Sequence, residues 1–539
     1  MKRLFYVLLA CLALFAACDS SSDSSSRSST PSVIFGVMSD THIGASALAS
    51  STPEARLQKA YQKFASIHSS MDAIITVGDF TEGGTLAQFN AYKAIMDEHS
   101  KAKNNLLLLG NHDNMNVNGQ SAIDRFVDVF GCQPTKETVI NGYHFITVST
   151  GDSVYNTTSY HLHKTWLEER LAAANAKNPH KPIFVFIHHT MAGTDLIGSH
   201  QAEAVGAGDL YDVFKQYPQV VTFSGHSHVS FSDPRNIWQG DYTALNCGSV
   251  YYTALDTTHH LTAGGIDNAA DAGEAFAPFN RGESSTALIV EVKGTKVTVR
   301  RIDNYWNIEI PTKFVFDTSK PKSKFPYLES KRIEASAPPQ FAAGSAITLD
   351  KIMDNGIEYT FPQAMTNNSR IPDEGAFAYE VSIKEQPSGA AADTARLQAL
   401  YFMFPRPTSV SYDTKKLQPD TSYEISVTPV GYFGKKGSAL TLSFKTAEEG
   451  AGDTRDVHPI PIAALLAGVG VPALPPGTTM DAFVTMITGY PLFMVNGLFG
   501  ETIFFKDNAL DEPFEGTDVI DITTIIYSII SLQELMSYL

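Results

Sequence analysis

Five short apolar runs constrain this chain more than any other feature, because each ends in residues of metal-binding type. Val33-Ile34-Phe35-Gly36-Val37-Met38 leads into Ser39-Asp40-Thr41-His42, Ala73 to Val77 into Gly78-Asp79, and Leu106 to Leu109 into Gly110-Asn111-His112-Asp113. Ile183 to Ile187 leads into His188-His189, and Val220 to Ser224 into Gly225-His226-Ser227-His228. Apolar runs this short read as buried strands, and ligands of open α/β sheets bind at the carboxyl ends of strands. Between the runs, Leu57, Tyr61, Phe64, Ile67 and Met71 recur at helical spacing, as do Phe89, Tyr92 and Met96. Trp166, Leu167 and Leu171, then Leu210, Val213, Phe214 and Tyr217, continue the alternation. It predicts an α/β domain whose sheet is at least partly parallel and covered by helices.

Asp40, His42, Asp79, Asn111, His188, His226 and His228 offer carboxylate oxygen, amide oxygen and imidazole nitrogen, and no thiolate. That set suits manganese, iron or zinc and is too nitrogen-rich for calcium or magnesium. Two ions about 3.5–4 Å apart need a bridging carboxylate. Asp79, with Gly78 giving backbone room, fits that place. His189 follows His188 directly, so on a regular strand it points the other way.

Asp40-x-His42, Gly78-Asp79, Gly110-Asn111-His112-Asp113, His188 and Gly225-His226-x-His228, in this order, resemble the calcineurin-like metallophosphoesterase signature. The resemblance covers about residues 31–312 and implies a four-layer α+β sandwich. It implies one metal on Asp40, His42, Asp79 and His228, and a second on Asp79, Asn111, His188 and His226. His112 would then meet the phosphate ester without holding a metal, Asp113 would orient His112, and a hydroxide bridging the metals would be the nucleophile. The Gly78 to Gly84 block lacks the arginine of protein serine/threonine phosphatases. Glu82 stands where purple acid phosphatases place a metal-bound tyrosine. Asp72 to Gly84, followed by the Gly-Asn-His-Asp block, is most similar to bacterial cyclic-nucleotide phosphodiesterase-like members. Cys247-Gly248-Ser249-Val250 resembles the Gly-Ser turn that follows the last histidine block in many of them.

The amino terminus carries Lys2 and Arg3, then an apolar run to Ala17, then Cys18. Residues 1–17 read as a signal peptide, too short to span a membrane as a helix. Leu14-Phe15-Ala16-Ala17-Cys18 resembles a bacterial lipobox, with Phe15 at a position where leucine is more usual, which implies lipidation at Cys18. Residues 18–30 are mostly serine and read as a flexible tether reaching roughly 20 Å. The expected location is therefore the bacterial cell envelope, lipid-anchored. Of four cysteines, Cys132 and Cys247 remain for the folded part, paired or as two free thiols. A net charge of −17 argues against a nucleic-acid partner, though bound cations would still admit a phosphate substrate.

At 539 residues the chain exceeds one hydrophobic core. The insertion-like stretch 256–283 precedes a hairpin of 287–292 and 297–301 that closes the catalytic domain. Residues 313–337 read as a linker. From 338 to 447, alternating Tyr359, Phe361, Tyr379, Val381 and Ile383 indicate strands, and Leu417 to Val427 resembles the tyrosine-corner strand of a fibronectin type III domain. An all-β immunoglobulin-like sandwich is the expectation, with spacing, adhesion or plain packing as its role. The region 448–539 offers no motif. Val519, Ile522, Ile525, Ile526, Ile529, Ile530 and Met536 suggest a terminal amphipathic helix.

The sequence thus points to a metal-dependent hydrolase of phosphate esters, phosphodiesters favoured. Phosphomonoesters and lipid or sugar phosphates are the alternatives for the substrate. An alternative of another class is a cell-surface adhesion protein with a vestigial site, its partner a protein held by the C-terminal domains.

Overall fold

The computed structural model describes residues 32–115, 119–151, 157–191, 193–194, 210–253, 282–366, 375–400, 403 and 406–450, with short strands at 459–461 and 519–521. The signal peptide, Cys18, the serine tether, and most of 192–208, 256–283 and 448–539 lie outside the described residues. Two compact units are present. The first takes residues up to Thr348 with Thr360–Tyr412 and Tyr423–Phe444; the second takes Leu349–Tyr359, Asp413–Ser422 and Lys445 onward.

The first unit begins with β1 (Val33–Met38), α1 (Pro53–Ile67), β2 (Ala73–Val77), α2 (Leu86–His99), β3 (Asn105–Leu108) and α3 (Ala122–Phe130). Then come β4 (Lys136–Ile140), β5 (Tyr143–Val148), α4 (Lys164–Lys177), β6 (Ile183–Ile187), the short α5 (Asp212–Phe214) and β7 (Val220–Ser224). The strands β8 (Ile237–Gln239), β9 (Thr243–Asn246), β10 (Thr286–Lys293), β11 (Lys296–Asp303), β12 (Ile308–Glu309) and β13 (Phe314–Asp317) follow, and α6 (Glu329–Ala335) ends the series.

Helix starts are set by local chemistry. The Thr52 hydroxyl accepts from Ala55 N ahead of Pro53, and Thr85 with Gln88 forms a capping box.

The strands form two mixed sheets, β12-β11-β10-β1-β2-β3 with β13 on β11, and β4-β5-β6-β7-β9-β8. Pairing is parallel from β1 to β2 to β3 in the first, and from β5 through β6 and β7 to β9 in the second. Phe35, Val37, Ile75, Leu108, Phe145, Phe184, Phe186 and Phe223 fill the space between the sheets. Phe35 meets Phe145 and Phe184 edge-on at 5.0 and 4.9 Å. On the outer faces, Leu57, Tyr61, Phe64 and Phe89 cover the first sheet, and Leu167, Leu171, Val213 and Phe214 the second. Four layers result, and burial of both faces explains why the strands read as unbroken apolar runs. The β10–β11 hairpin pairs Lys293 with Lys296, as the sequence suggested.

Residues 313–337 are not a bare linker. Phe314 and Phe316 are buried on β13, which pairs with β11, and α6 follows. Their period-two alternation is short and flanked by Lys, Ser and Pro, which masked it in the sequence.

Beyond α6, β14 (Thr348–Ile352), β15 (Ile357–Pro362), β16 (Ala376–Glu385), β17 (Ala391–Gln398), β18 (Ser409–Thr414), β19 (Ser422–Gly431) and β20 (Leu440–Lys445) make sheets of order β14-β15-β18 and β17-β16-β19-β20. Phe361 of one sheet meets Tyr379 of the other at 4.7 Å. The Tyr379 hydroxyl donates to Gln363 Oε1 (2.6 Å) and accepts from Ala364 N (2.8 Å). In the second unit Val519–Asp521 is a strand antiparallel to Pro459–Pro461, not the start of a helix. Val519-Ile520-Asp521-Ile522-Thr523 is mostly β-branched, which favours that outcome. Cys132 and Cys247 are free thiols. Among the described residues no helix is long and apolar enough to cross a membrane.

Candidate metal centre

The loops leaving β1 and β2 run side by side, tied by Asp40 N to Gly78 O (3.1 Å), His42 N to Asp79 O (3.1 Å) and Ile43 N to Phe80 O (3.0 Å). The loops leaving β6 and β7 are tied by Gly225 N to His188 O at 2.9 Å. The Gly-Ser turn joins the two sets, since Ser249 Oγ and Tyr251 N both donate to Asp40 O at 3.1 Å. Asp40 (φ 54°), His42 (49°), Asp79 (46°), His226 (67°) and His228 (48°) all hold left-handed backbone. Such conformations are costly for these residue types and gather where function demands them. Gly110 is required by contact, because a Cβ there would lie 2.2 Å from Asp79 Oδ1.

Carboxylates and imidazoles meet across the gap between the sheets. His228 Nε2 lies 3.1 Å from Asp40 Oδ1, and His188 Nε2 lies 3.1 Å from Asp79 Oδ2 and 3.2 Å from Asn111 Oδ1. Ligand atoms lie within 4.8 Å of one another in Asp40, His42 and His228, in Asp40, Asp79 and His188, and in His188, His189 and His226. The seven sequence-nominated donors thus converge.

The hydrogen bonds fix which nitrogens are available. His188 Nδ1 donates to Val77 O at 2.8 Å, so Nε2 is the nitrogen left to face Asp79, and it can bind a cation once its proton leaves. His42 Nδ1 faces Glu82 Oε2 at 2.6 Å, leaving its Nε2 lone pair 3.3 Å from His228 Nε2. Two ring nitrogens that close, beside a carboxylate and with His228 Nδ1 buried and unpartnered, are relieved by a shared cation. The donor set therefore fits metal binding.

Burial alone would push the Asp79 carboxyl up, but His188, then His112 and His42, hold it well below the usual carboxylate range. Asp40 is likewise lowered, His228 and His188 outweighing burial. His188 is raised to about 9, Asp79 and Asp40 overcoming its burial. His189 falls well below the usual imidazole value through burial, His226 and His188.

His112 sits at the more open side, its side chain 26% exposed. Its backbone N–H donates to Asp79 Oδ1 at 2.8 Å and its Nδ1 donates to Glu82 O at 2.9 Å. A carbonyl oxygen only accepts, so Nε2 is the atom of His112 that gains or loses a proton. Burial lowers its pKa and Asp79 with the Glu82 carbonyl more than reverses this, leaving it raised.

Here the structure corrects one expectation. Asp113 does not aim His112: its Oδ1 accepts from Thr81 N (2.9 Å) and Thr81 Oγ1 (2.8 Å), and its Oδ2 from Gly110 N (2.8 Å). Burial and Asp79 push its carboxyl up to about 7. Asp113 shapes the turn, and Glu82 orients the imidazole.

Glu82, to which its place three residues after Asp79 assigned no role beyond replacing a tyrosine, holds His42 by its side chain and His112 by its carbonyl. His189 also reaches the cluster, because β6 ends at Ile187 and strand alternation no longer applies. Tyr160 Oη bonds its Nδ1 at 2.9 Å, and its ring lies 4.3 Å from that of His226. Tyr252, against His228 at 4.1 Å, adds an aromatic wall.

Fold and donor set together define a metallophosphoesterase domain. Residues 34–230 match the calcineurin-like phosphoesterase family, and the chain carries a domain of that family. No curated protein sequence matches the chain. Among solved structures it is similar to a purple acid phosphatase from yellow lupin seeds (11% identity, 53% of each chain, TM-score 0.35). It is also similar to PhoD (11% identity, 54% of this chain and 70% of that one, TM-score 0.34). The third likeness is to the fn3 domain of human collagen alpha-1(XX) chain (14% identity, 22% of this chain and 92% of that one, TM-score 0.16). The chain spans about half the length of the lupin phosphatase.

Proposed function

We propose that this protein hydrolyses phosphate esters, phosphodiesters in preference, at a two-metal centre in the gap between the sheets. The observation that carries the reading is the pair of 3.1 Å contacts, Asp40 to His228 and Asp79 to His188, made across that gap by strained strand ends. Asp40, His42, Asp79 and His228 would hold one ion, and Asp79, Asn111, His188 and His226 the other. Bound manganese, iron or zinc supplies Lewis acidity and a water that ionises near neutral pH.

The protein's own groups do the rest. His112, its Nδ1 fixed by Glu82, presents Nε2 to the ester and gives a proton to the departing alkoxide. Asp113 holds the Gly110 turn so that Asn111 and His112 diverge to separate tasks. Gly78 and Gly110 leave the room in which Asp79 approaches both sheets.

The reading extends to location and architecture. Lys2, Arg3, the apolar run and Cys18 support export and lipid anchoring at a bacterial envelope, near lipid or small-molecule phosphate esters. Sheets of three and four strands support a fibronectin type III-like module over about 338–447.

The test is turnover of bis(4-nitrophenyl) phosphate and 4-nitrophenyl phosphate by the full chain, metal-stripped and then supplied with manganese, iron or zinc. Metal-dependent hydrolysis with the diester faster is expected. No turnover with any of the three metals sinks the proposal.

A further inference from the structure

We infer that the β-sandwich is a positioning element of the metal centre, acting through buried arginines on the segment that follows His226-Ser227-His228; this rests on the proposed two-metal reading.

Residues 231–237 are clasped from several sides. Arg301 Nη1 donates to Phe231 O (2.8 Å) and Asp233 O (3.3 Å). Arg332 of α6 donates to Ile237 O (2.9 Å) and to Pro234 O. Arg235 grips Asp233 through Nε to Oδ1 (3.0 Å) and Nη2 to Oδ2 (2.6 Å). Asn236 Nδ2 donates back to Ser230 O at 2.6 Å, which closes the segment onto the histidine loop.

The outward faces of two of these guanidinium groups rest on the sandwich. Arg235 lies 4.2 Å from the Phe377 ring and 5.6 Å from that of Tyr432, and Arg332 lies 4.8 Å from the Phe433 ring. All of these residues fall in the first compact unit. Arg235 and Arg332 are buried, so their charge loses water and depends on the carboxylate, the carbonyls and the ring faces. A module serving only as a tethered spacer needs no such buried contact. His226 and His228, meanwhile, hold left-handed backbone that persists only where the surroundings fix both ends of the loop. The clasp fixes the downstream end, and the sandwich closes the clasp.

The test uses the full chain with Phe377→Ala combined with Phe433→Ala, and separately Phe377→Leu, which keeps apolar volume and removes the ring face. Manganese binding is measured by calorimetry, alongside the manganese concentration giving half-maximal hydrolysis. Both should weaken by about tenfold in the double variant, as when groups supporting a metal ligand are removed. Turnover at saturating manganese should return to within about twofold of wild type, a rescue that mere loss of stability would not show. Wild-type manganese affinity in a folded double variant overturns the inference. If the double variant does not fold, unchanged affinity in Phe377→Leu overturns it equally. A wild-type protein that binds no manganese, iron or zinc defeats the parent reading instead, so the two failures are distinct.

Discussion

The first sheet sends mainly oxygen donors to the gap, through Asp40, Asp79 and Asn111, whereas the second sends only imidazoles, through His188, His226 and His228. Neither sheet alone carries a set that would hold a transition ion well, since one lacks enough nitrogen and the other lacks charge. Joined, they satisfy each other: Asp40 and Asp79, fully buried, stay ionised because imidazoles face them. Asp303, buried at the end of β11 in the same first sheet, accepts from Ser284 Oγ, Ser285 N and Trp306 N, faces no imidazole among the described residues, and its carboxyl is pushed up to about 6 by burial. The chemistry therefore belongs to the gap between the sheets, and a metal there would tie them together.

Breaking the shared carboxylate tests this most severely. Asp79→Ala should lose both ions and lower kcat/KM by about four orders of magnitude, several kcal/mol of stabilisation at 1.36 kcal/mol per tenfold. Metal content by mass spectrometry checks it, and retention of two ions would show that Asp79 is not shared. Next comes His112→Ala, expected to keep both ions and lose about 10²- to 10⁴-fold in kcat. The loss should grow as the leaving alcohol becomes more basic; a flat leaving-group series would remove the proton-donor role. Glu82→Ala, which frees His42 and spares the imidazole side, should weaken manganese binding by about 10- to 100-fold. Unchanged affinity in a titration would assign the orientation of His42 elsewhere.

A further effect, on stability and not on metal binding, concerns Asp303. Its folded pKa lies above the unfolded value near 3.8, so its contribution to stability is full below pH 3.8 and is lost as pH rises through about 6. Two units of difference correspond to about 3 kcal/mol. Denaturant unfolding of the wild type relative to Asp303→Asn should lose that difference between pH 4 and 6. Parallel profiles would show that burial does not penalise this carboxylate.

Much of this was legible in the sequence for a physical reason. Strands buried on both faces leave unbroken apolar runs, and the donors sit directly at their ends, as with Val77 before Gly78-Asp79. Less legible were relations that depend on backbone direction after the strand. The left-handed turn at Asp79 swings the chain so that Glu82, rather than Asp113, meets His112. The end of β6 lets His189 join His188, against strict alternation. The edge strand at Phe314–Asp317 hid among lysines and prolines, and the arginine clasp joins residues whose contact no local pattern announces.

The most direct test of the two-sheet centre is the number of manganese ions bound per chain, measured by calorimetry on metal-stripped wild type and on His188→Ala. Two ions for the wild type and one or none for His188→Ala is the predicted result. Two tightly bound ions in both proteins, or none in the wild type with manganese, iron or zinc, would contradict the account.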